Sequence, residues 1–483
     1  MENISSAISK IKLALEALNI KGYLVGGVVR DLLLNRKTND IDIAIDQNPL
    51  KVGPELAKIL GGTFVPLDET NLIARIVLNN WQIDLNYFDK DITADLARRD
   101  FTINALAVPI EKVQDMPASV IDSTGGLDDL KQTVIRMVRG DIFEQDPARL
   151  LRAVRLSLEL GFTIESETRS KIKASSHLLA KVAGEKIREE LLKILRLGKS
   201  AEAFLYMDQL GLTRAIIPEL ETLKGVEQPK EHQWDVFNHS LQSIDGVDYV
   251  LRKGGWPYAQ VLDSIPWSDE IGKHFDEEIS YPATRRELLK LSALLHDIAK
   301  PETKTIIKGR VRFPGHPKLG AAKVGPILER LRFSNKEIRV VEKVVYYHLR
   351  PVQLGEDLPS DRALYRYFRD TGDEALDALF FSLADHLATR GPELDEKDWG
   401  WHTRVAGYIV EKYFEPAGIK SLPKLLDGHI IMDKFNLSPG PLIGQLLGEI
   451  REAQAAGEVK TTEEALAYAE KLLLSPHFLK SKD

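Results

Sequence analysis

No cysteine occurs among the 483 residues. Disulfides, zinc ribbons and thiol nucleophiles are thereby excluded, and the absence agrees with a reducing compartment, the cytoplasm. No uninterrupted apolar run approaches the ~20 residues that a membrane span needs, so none is expected. The opening MENISSAISKIKLALEAL lacks a basic region followed by an apolar block. It reads as an amphipathic helix on Ile8, Ile11, Leu15 and Leu18 rather than a signal peptide. Positive charge is not in surplus either: the net charge of −7 argues against bulk affinity for nucleic acid. No repeat of fixed period and no low-complexity tract is evident.

What is present suits a globular chain of several parts. At ~100–200 residues per domain the length implies three or four units. Charged residues make up 28% and apolar residues 43%, as in soluble globular proteins. Residues 1 to about 130 mix helix and strand signals: a helix over 5–18, a strand over 22–25, a Gly turn, a helix near 28–34 and a strand over 40–45. LIARIVLNN and WQIDLNYF follow as neighbouring strands, with a turn at Asn79 and Asn80. Beyond about 143 the pattern is helical to the end, and most histidines fall between 221 and 395. Lys131 to Lys199 holds fifteen Lys/Arg against nine Asp/Glu, a local surplus of six positive charges that is either a phosphate-binding footprint or a solvated helical surface.

YLVGGVVRDLLLNRKTNDIDIAI, from Tyr23 to Ile45, carries the first chemistry. Residues two apart on a strand share a face, so Asp40 and Asp42 project together while Ile41, Ile43 and Ile45 anchor the other side. Side-by-side carboxylates repel unless something positive lies between them. Mg²⁺ answers this, because it takes one or two carboxylates and keeps its other positions for water and substrate phosphate. The upstream Gly26-Gly27 turn offers backbone N–H groups to a triphosphate. A third acid, Asp84, joins the pair on two metals if its strand is adjacent. A half-exposed strand with its acids in water is the plainer alternative.

GGVVRD, DID, RRDFTINALA, IDSTGGLDDLKQTVIRMV, DPARLLRAVRLSLELGF and GEKIREELLKIL occur in this order over residues 22–195. Together they resemble the class II tRNA nucleotidyltransferase (CCA-adding) and bacterial poly(A) polymerase family. LLDGHIIMDKFNLSPGPLIGQLLGEI resembles the tail of its histidine-bearing branch. The resemblance implies an α+β polymerase-β-like head with a small mixed sheet over 1–135. It implies an all-α neck that reads the base and binds RNA over 136–220, an HD metal phosphohydrolase-like domain over 221–395, and a helical tail over 396–483. By the same resemblance, Asp40 and Asp42 hold Mg²⁺ and, with Asp84, form the catalytic acids. Gly26, Gly27 and Arg30 shape the triphosphate pocket, and Arg98, Arg99, Asp100 and Asn104 line the nucleotide. Asp122, Gly125 and Gly126 fix a turn.

The family reads the incoming base with a Glu-Asp-x-x-Arg helix start; here QDPAR puts Gln145 in the Glu place. Asp146 and Arg149, three apart, are expected on one helix face, where Asp accepts from an exocyclic amino group and Arg donates to a ring nitrogen. C and A present that pattern; G and U do not. Arg152 and Arg155 continue the face toward the triphosphate or the tRNA end. The expected reaction joins C and/or A from CTP or ATP to the tRNA 3′ end and releases pyrophosphate. The short LNYFDKDITADLA segment before RRD resembles enzymes that add C but not the final A. CC-only, A-only and poly(A) products are the alternatives. His239, His296, Asp297, His316, His348 and Asp385 resemble the ligands of an HD centre for one or two divalent transition metals. Lys300 is placed to neutralise a phosphate and His232 to assist, while His386 is expected to be structural. Such a domain either hydrolyses phosphate esters at tRNA ends or binds RNA. A phosphohydrolase whose head only presents RNA is the rival of another class.

Overall fold

The computed structural model describes residues 4–79, 81–89, 91–354, 358–416, 419 and 422–475. Asn80, one half of the expected turn, and Lys90 lie outside the described residues. The chain divides into two compact units, one of residues 1–190 and 206–216, the other of 191–205 and 217–483.

The first unit is built on a mixed sheet. Its strands are β1 (Gly22–Val25), β2 (Asp40–Ile45), β3 (Thr63–Asp68), β4 (Ile73–Leu78), β5 (Trp81–Tyr87), β6 (Leu106–Pro109) and β7 (Ile121–Asp122). They lie in the order β3-β4-β5-β2-β1-β6-β7, and only β2 and β5 run parallel. The strands 22–25 and 40–45 fall where the sequence places them, and the first helix is Ile4–Ala17. Ile41, Ile43, Ile45, Ile83 and Leu85 are fully buried, so one face of the two parallel strands is core; on the other face Ala44 is buried while Asp42 and Asp84 are half-buried and Asp40 is exposed. Asn79, at φ 53°, takes the left-handed conformation that a tight β4–β5 hairpin requires. Helix Pro49–Leu60 shows how closely local chemistry sets the ends: Asn48 accepts from the Leu50 N–H, and Gly61 closes the helix at φ 71°.

Among its described residues the second unit is helical apart from two short hairpins. Helices Arg285–Leu295 and Asn335–Tyr347 both start with a capping box, Thr284 with Glu287 and Ser334 with Glu337. Each ends with a histidine, His296 and His348, at its C-terminal cap. The last helices, Gly428–Phe435, Pro441–Ala455 and Thr462–Leu473, share a small core that includes Ile431, Leu446, Ile450 and Ala465. No helix among the described residues is long and apolar enough to cross a membrane.

Candidate active site and metal centre

In the parallel pairing of β2 with β5, Asp42 stands opposite Asp84 and Asp40 opposite Gln82. Two of the acids are thus direct neighbours across strands. The third, Asp40, is two residues from Asp42 on the same face. Burial pushes the Asp42 carboxyl up to about 6, and the negative charges of Asp84 and Asp40 push the same way; Arg99 opposes them. Gly26, at φ 74°, admits this crowding. A Cβ there would lie 2.8 Å from Arg99 Nη1 and 3.4 Å from Asp42 Oδ2. A divalent cation fits the donor set: a half-buried carboxylate whose neighbours resist its ionisation gains most from a second positive charge.

Three expectations change in detail. Gly26 does not offer its N–H to a phosphate, because that group donates to the Leu106 carbonyl at 3.1 Å as the turn folds back on β6. Asp84 is gripped by Arg75, its cross-strand partner on β4, through Nε–Oδ1 and Nη2–Oδ2 contacts of 2.6 and 2.8 Å. Its charge still acts on Asp42, but both its oxygens are committed. Asp146 and Arg149 do not share a helix face. Helix Arg149–Leu160 begins after Asp146, which is extended at φ −145° and ψ 94°. The following Pro147 keeps Asp146 out of the helical region. The pair nevertheless stays together, with Arg149 Nε 4.0 Å from Asp146 Oδ2. Arg149 Nε and Nη1 are buried without a hydrogen-bond partner among the described residues, while Nη2 donates to the Arg98 carbonyl.

Five other predicted nucleotide residues, Arg30, Asp100, Asn104, Arg152 and Arg155, stand in a closed polar circuit. Arg30 is buried and donates to both oxygens of Asp31 and, at 2.7 Å, to Asn104 Oδ1. Asn104 donates to Asp100, which also accepts from Arg152 Nη1 at 2.9 Å. Arg152 and Arg155 both reach Glu190; Arg155 also reaches Glu159, and Arg36 links Glu159 back to Asp31. Burial alone would raise Asp100, but Arg152 and the hydrogen bonds outweigh it and hold it below the usual carboxylate range. Arg98 and Arg99 are both held by Asp95. Sequence reasoning missed Arg75, Asp95, Glu190 and Asp31. The three- and four-residue spacing of Asp95 to the arginines was a readable signal; Glu190, far along the chain, gave none. Asp122 accepts from the N–H groups of Thr124, Gly125, Gly126 and Leu127, a turn-fixing role.

In the second unit the six predicted HD residues gather in one buried cluster. Asp297 is central: its Oδ2 lies 3.0 Å from His296 Nε2 and 3.7 Å from His239 Nε2, and its Oδ1 lies 3.4 Å from His316 Nε2. His239 Nε2 is 2.9 Å from Asp385 Oδ1. Two sets of three potential ligands share Asp297, one with His239 and His296, the other with His316 and His348. His296, His316 and His348 each direct Nδ1 at a carbonyl three residues back, those of Ala293, Phe313 and Val345. For His316 and His348 that bond assigns the Nδ1–H tautomer and leaves Nε2 as a lone pair, whereas His296 turns its Nε2–H toward Asp297. His316 and His348 then bring two Nε2 lone pairs within 3.4 Å of each other. This arrangement fits a cation. Burial would lower His296, but the carboxylates of Asp297 and Asp385 overcome it and hold it at about 10. Burial and then the charge of His296 push His348 down to about 3. Lys300 sits 2.6 Å from Asp297 Oδ2 and also donates to Gln228, so its first partner is the central acid. The His232 ring packs edge-on against His239.

Three family models match in order: the Poly A polymerase head domain over residues 22–136, the probable RNA and SrmB- binding site of polymerase A over 161–224, and the HD domain over 267–390. The chain is 32% identical to an A-adding tRNA nucleotidyltransferase of Deinococcus radiodurans, covering 93% of this chain and 94% of that protein. It is also 32% identical to a CC-adding tRNA nucleotidyltransferase of Thermus thermophilus, covering 92% of each. A CCA-adding enzyme solved with ATP has the same fold, with a TM-score of 0.62 at 22% identity over 97% of this chain and 95% of that one. A Thermotoga maritima CCA-adding enzyme complexed with tRNA gives 0.57 at 22% identity over 97% and 95%. With a relative 32% identical over 93% of its length and both a polymerase head and an HD domain matched, the chain belongs to the tRNA nucleotidyltransferase family, in the branch that joins a polymerase head to an HD domain.

Proposed function

We propose that the chain transfers C and/or A from CTP or ATP to the 3′ end of tRNA without a nucleic-acid template. The tRNA 3′-hydroxyl oxygen bonds to the α-phosphorus and gives up its proton to water, the bond from the α-phosphorus to the oxygen bridging the β-phosphate breaks, and pyrophosphate leaves with that electron pair. The observation that carries this reading is the placement of Asp42 beside Gly26, with Asp84 next to it in register and Asp40 two residues away on the same strand face. Asp40 and Asp42 would hold Mg²⁺, which when bound lowers the hydroxyl pKa and shields the leaving group. Asp84, already gripped by Arg75, adds negative field at Asp42. Arg99 faces the acids and supplies positive charge to the phosphates. Arg30 keeps Asn104 and Asp100 in place, and Arg149 stays beside Asp146, the donor and acceptor assigned to the base edge. The positive stretch 131–199 is assigned to the acceptor stem, whose A-form duplex is gripped through phosphates and shape. The histidine cluster would hold one or two divalent transition ions through His239, His296, Asp297, His316, His348 and Asp385 and hydrolyse a phosphate ester. The division into head, neck, HD domain and tail belongs to the same proposal.

A narrower reading, addition of C alone, is favoured by one feature. Only ten residues separate β5 from Arg98. Their one helix, Ile92–Leu96, is capped by Asp91 and tied through Asp95 to Arg98 and Arg99. So short and tethered a segment has little freedom to rearrange between C and A. Incubating tRNA that lacks one, two or three terminal nucleotides with CTP or ATP singly separates the products. The narrow reading expects C on the two shorter substrates and nothing on the longest. Terminal A addition overturns it and leaves the broader one, and no incorporation on any substrate overturns both.

A further inference from the structure

Outside the two centres described above, two imidazoles and a carboxylate converge where the helix Ala375–Arg390 meets the helix Glu396–Phe414. His386 Nε2 lies 3.5 Å from Asp398 Oδ2, and His402 Nε2 lies 3.4 Å from Asp398 Oδ1. One ligand atom from each of the three residues falls within 4.8 Å of the others. Arg390 Nη2 also approaches Asp398 Oδ2, at 3.2 Å. The two imidazole rings are 4.0 Å apart between centroids, and Trp399 stacks on His386.

The arrangement follows from local structure. Asp395 starts the second helix by accepting from the N–H groups of Lys397 and Asp398. Asp398 and His402, four apart, then share one helix face and present it to His386. Both imidazole side chains are largely covered, at 11% and 12% exposure.

Two features set this cluster apart from an ordinary buried hydrogen-bond network. The N···O separations exceed the 2.7–3.2 Å of an N–H···O bond. They instead approach the ~3.3 Å edge of a tetrahedron built on bonds of ~2.0–2.1 Å. Secondly, His386 Nε2 is buried without a hydrogen-bond partner among the described residues. Arg390 occupies one side of the carboxylate, as a positioning partner of a ligand does.

We propose that His386, Asp398 and His402 form a further divalent transition-metal site, separate from the HD centre, that clamps the two helices together. Two imidazoles and one carboxylate suit Zn²⁺, Co²⁺ or Ni²⁺ and leave a position for water.

The test uses the full chain, stripped with a chelator, reloaded with Zn²⁺ and dialysed, with bound zinc measured by mass spectrometry. Wild type is expected to hold one equivalent more than His402→Ala and than Asp398→Asn, with nucleotide addition unchanged in both variants. A double variant of the HD centre, His316→Ala with His348→Ala, is expected to keep that equivalent. In that background Co²⁺ should produce a visible absorption band and raise the unfolding temperature, and adding Asp398→Asn should abolish both effects. Equal zinc content in wild type and the two single variants overturns the proposal. So does absence of the Co²⁺ band in the double variant, a readout that survives if the single variants fail to fold.

Discussion

Asp42 bears the largest electrostatic load in the head. Burial, Asp84 and Asp40 together raise its carboxyl to about 6, despite the pull of Arg99. The folded chain therefore binds this proton more tightly than the unfolded chain. The stability so gained without metal is complete below the unfolded carboxyl value and is lost as pH rises through about 6. A bound cation reverses the preference, since it needs the ionised form. The Mg²⁺ concentration for half-maximal nucleotide addition is expected to climb about tenfold per pH unit below that value, as measured by pyrophosphate release between pH 5 and pH 8. Asp84→Asn removes one of the raising charges and should move the midpoint of that rise to lower pH. A midpoint indifferent to Asp84→Asn would mean that the two carboxylates do not interact. The pair at 40 and 42 was legible because strand period fixes which side chains share a face. Arg75 was not, because its meeting with Asp84 depends on the β4–β5 register, which sequence spacing alone leaves open.

At the scale of elements, ends and turns carry the positions that matter. Asp122 gathers four backbone N–H groups at the start of helix Gly126–Gln132. A Cβ on Gly126 would collide with the Thr102 carbonyl oxygen, so the turn also fixes the segment leading to Asn104. Asp122→Ala is expected to cost about 1–2 kcal/mol, the scale of a lost helix cap, measured by urea unfolding. A loss within experimental error would show that water replaces the carboxylate. The DSTGG composition made this turn readable in advance. The QDPAR stretch departs in one respect: its spacing puts Asp146 and Arg149 on one helix face, but Pro147 holds the residue before it extended and the helix begins only at Arg149. The His296 and His348 positions show the opposite outcome. Their capping boxes were local, but the meeting of six side chains from several helices rested on the resemblance, since no periodicity predicts long-range convergence.

For the molecule as a whole, the charge pattern and the two compact units make separate statements. An acidic chain with a basic stretch over 131–199 should bind tRNA through few, localised phosphate contacts. With three or more phosphates neutralised, affinity should fall at least about tenfold between 50 and 200 mM salt, followed by filter binding or anisotropy. A flat salt response would remove the basic stretch from the account. The order of head, RNA-binding and HD segments was legible from the motif order, and the family models match it. The return of residues 206–216 to the first unit was not, because it is settled by packing far along the chain.

The most direct measurement is incorporation of labelled C and A into end-trimmed tRNA by wild type, Asp40→Ala, Asp42→Ala and His296→Ala, each first shown to be folded. Both aspartate variants should lose incorporation by at least a thousandfold, roughly the 4 kcal/mol of a metal-dependent step, while His296→Ala should keep it near the wild-type rate. Incorporation that survives the aspartate changes, or that disappears with His296→Ala alone, would contradict the assignment of nucleotidyl transfer to the acid pair on β2.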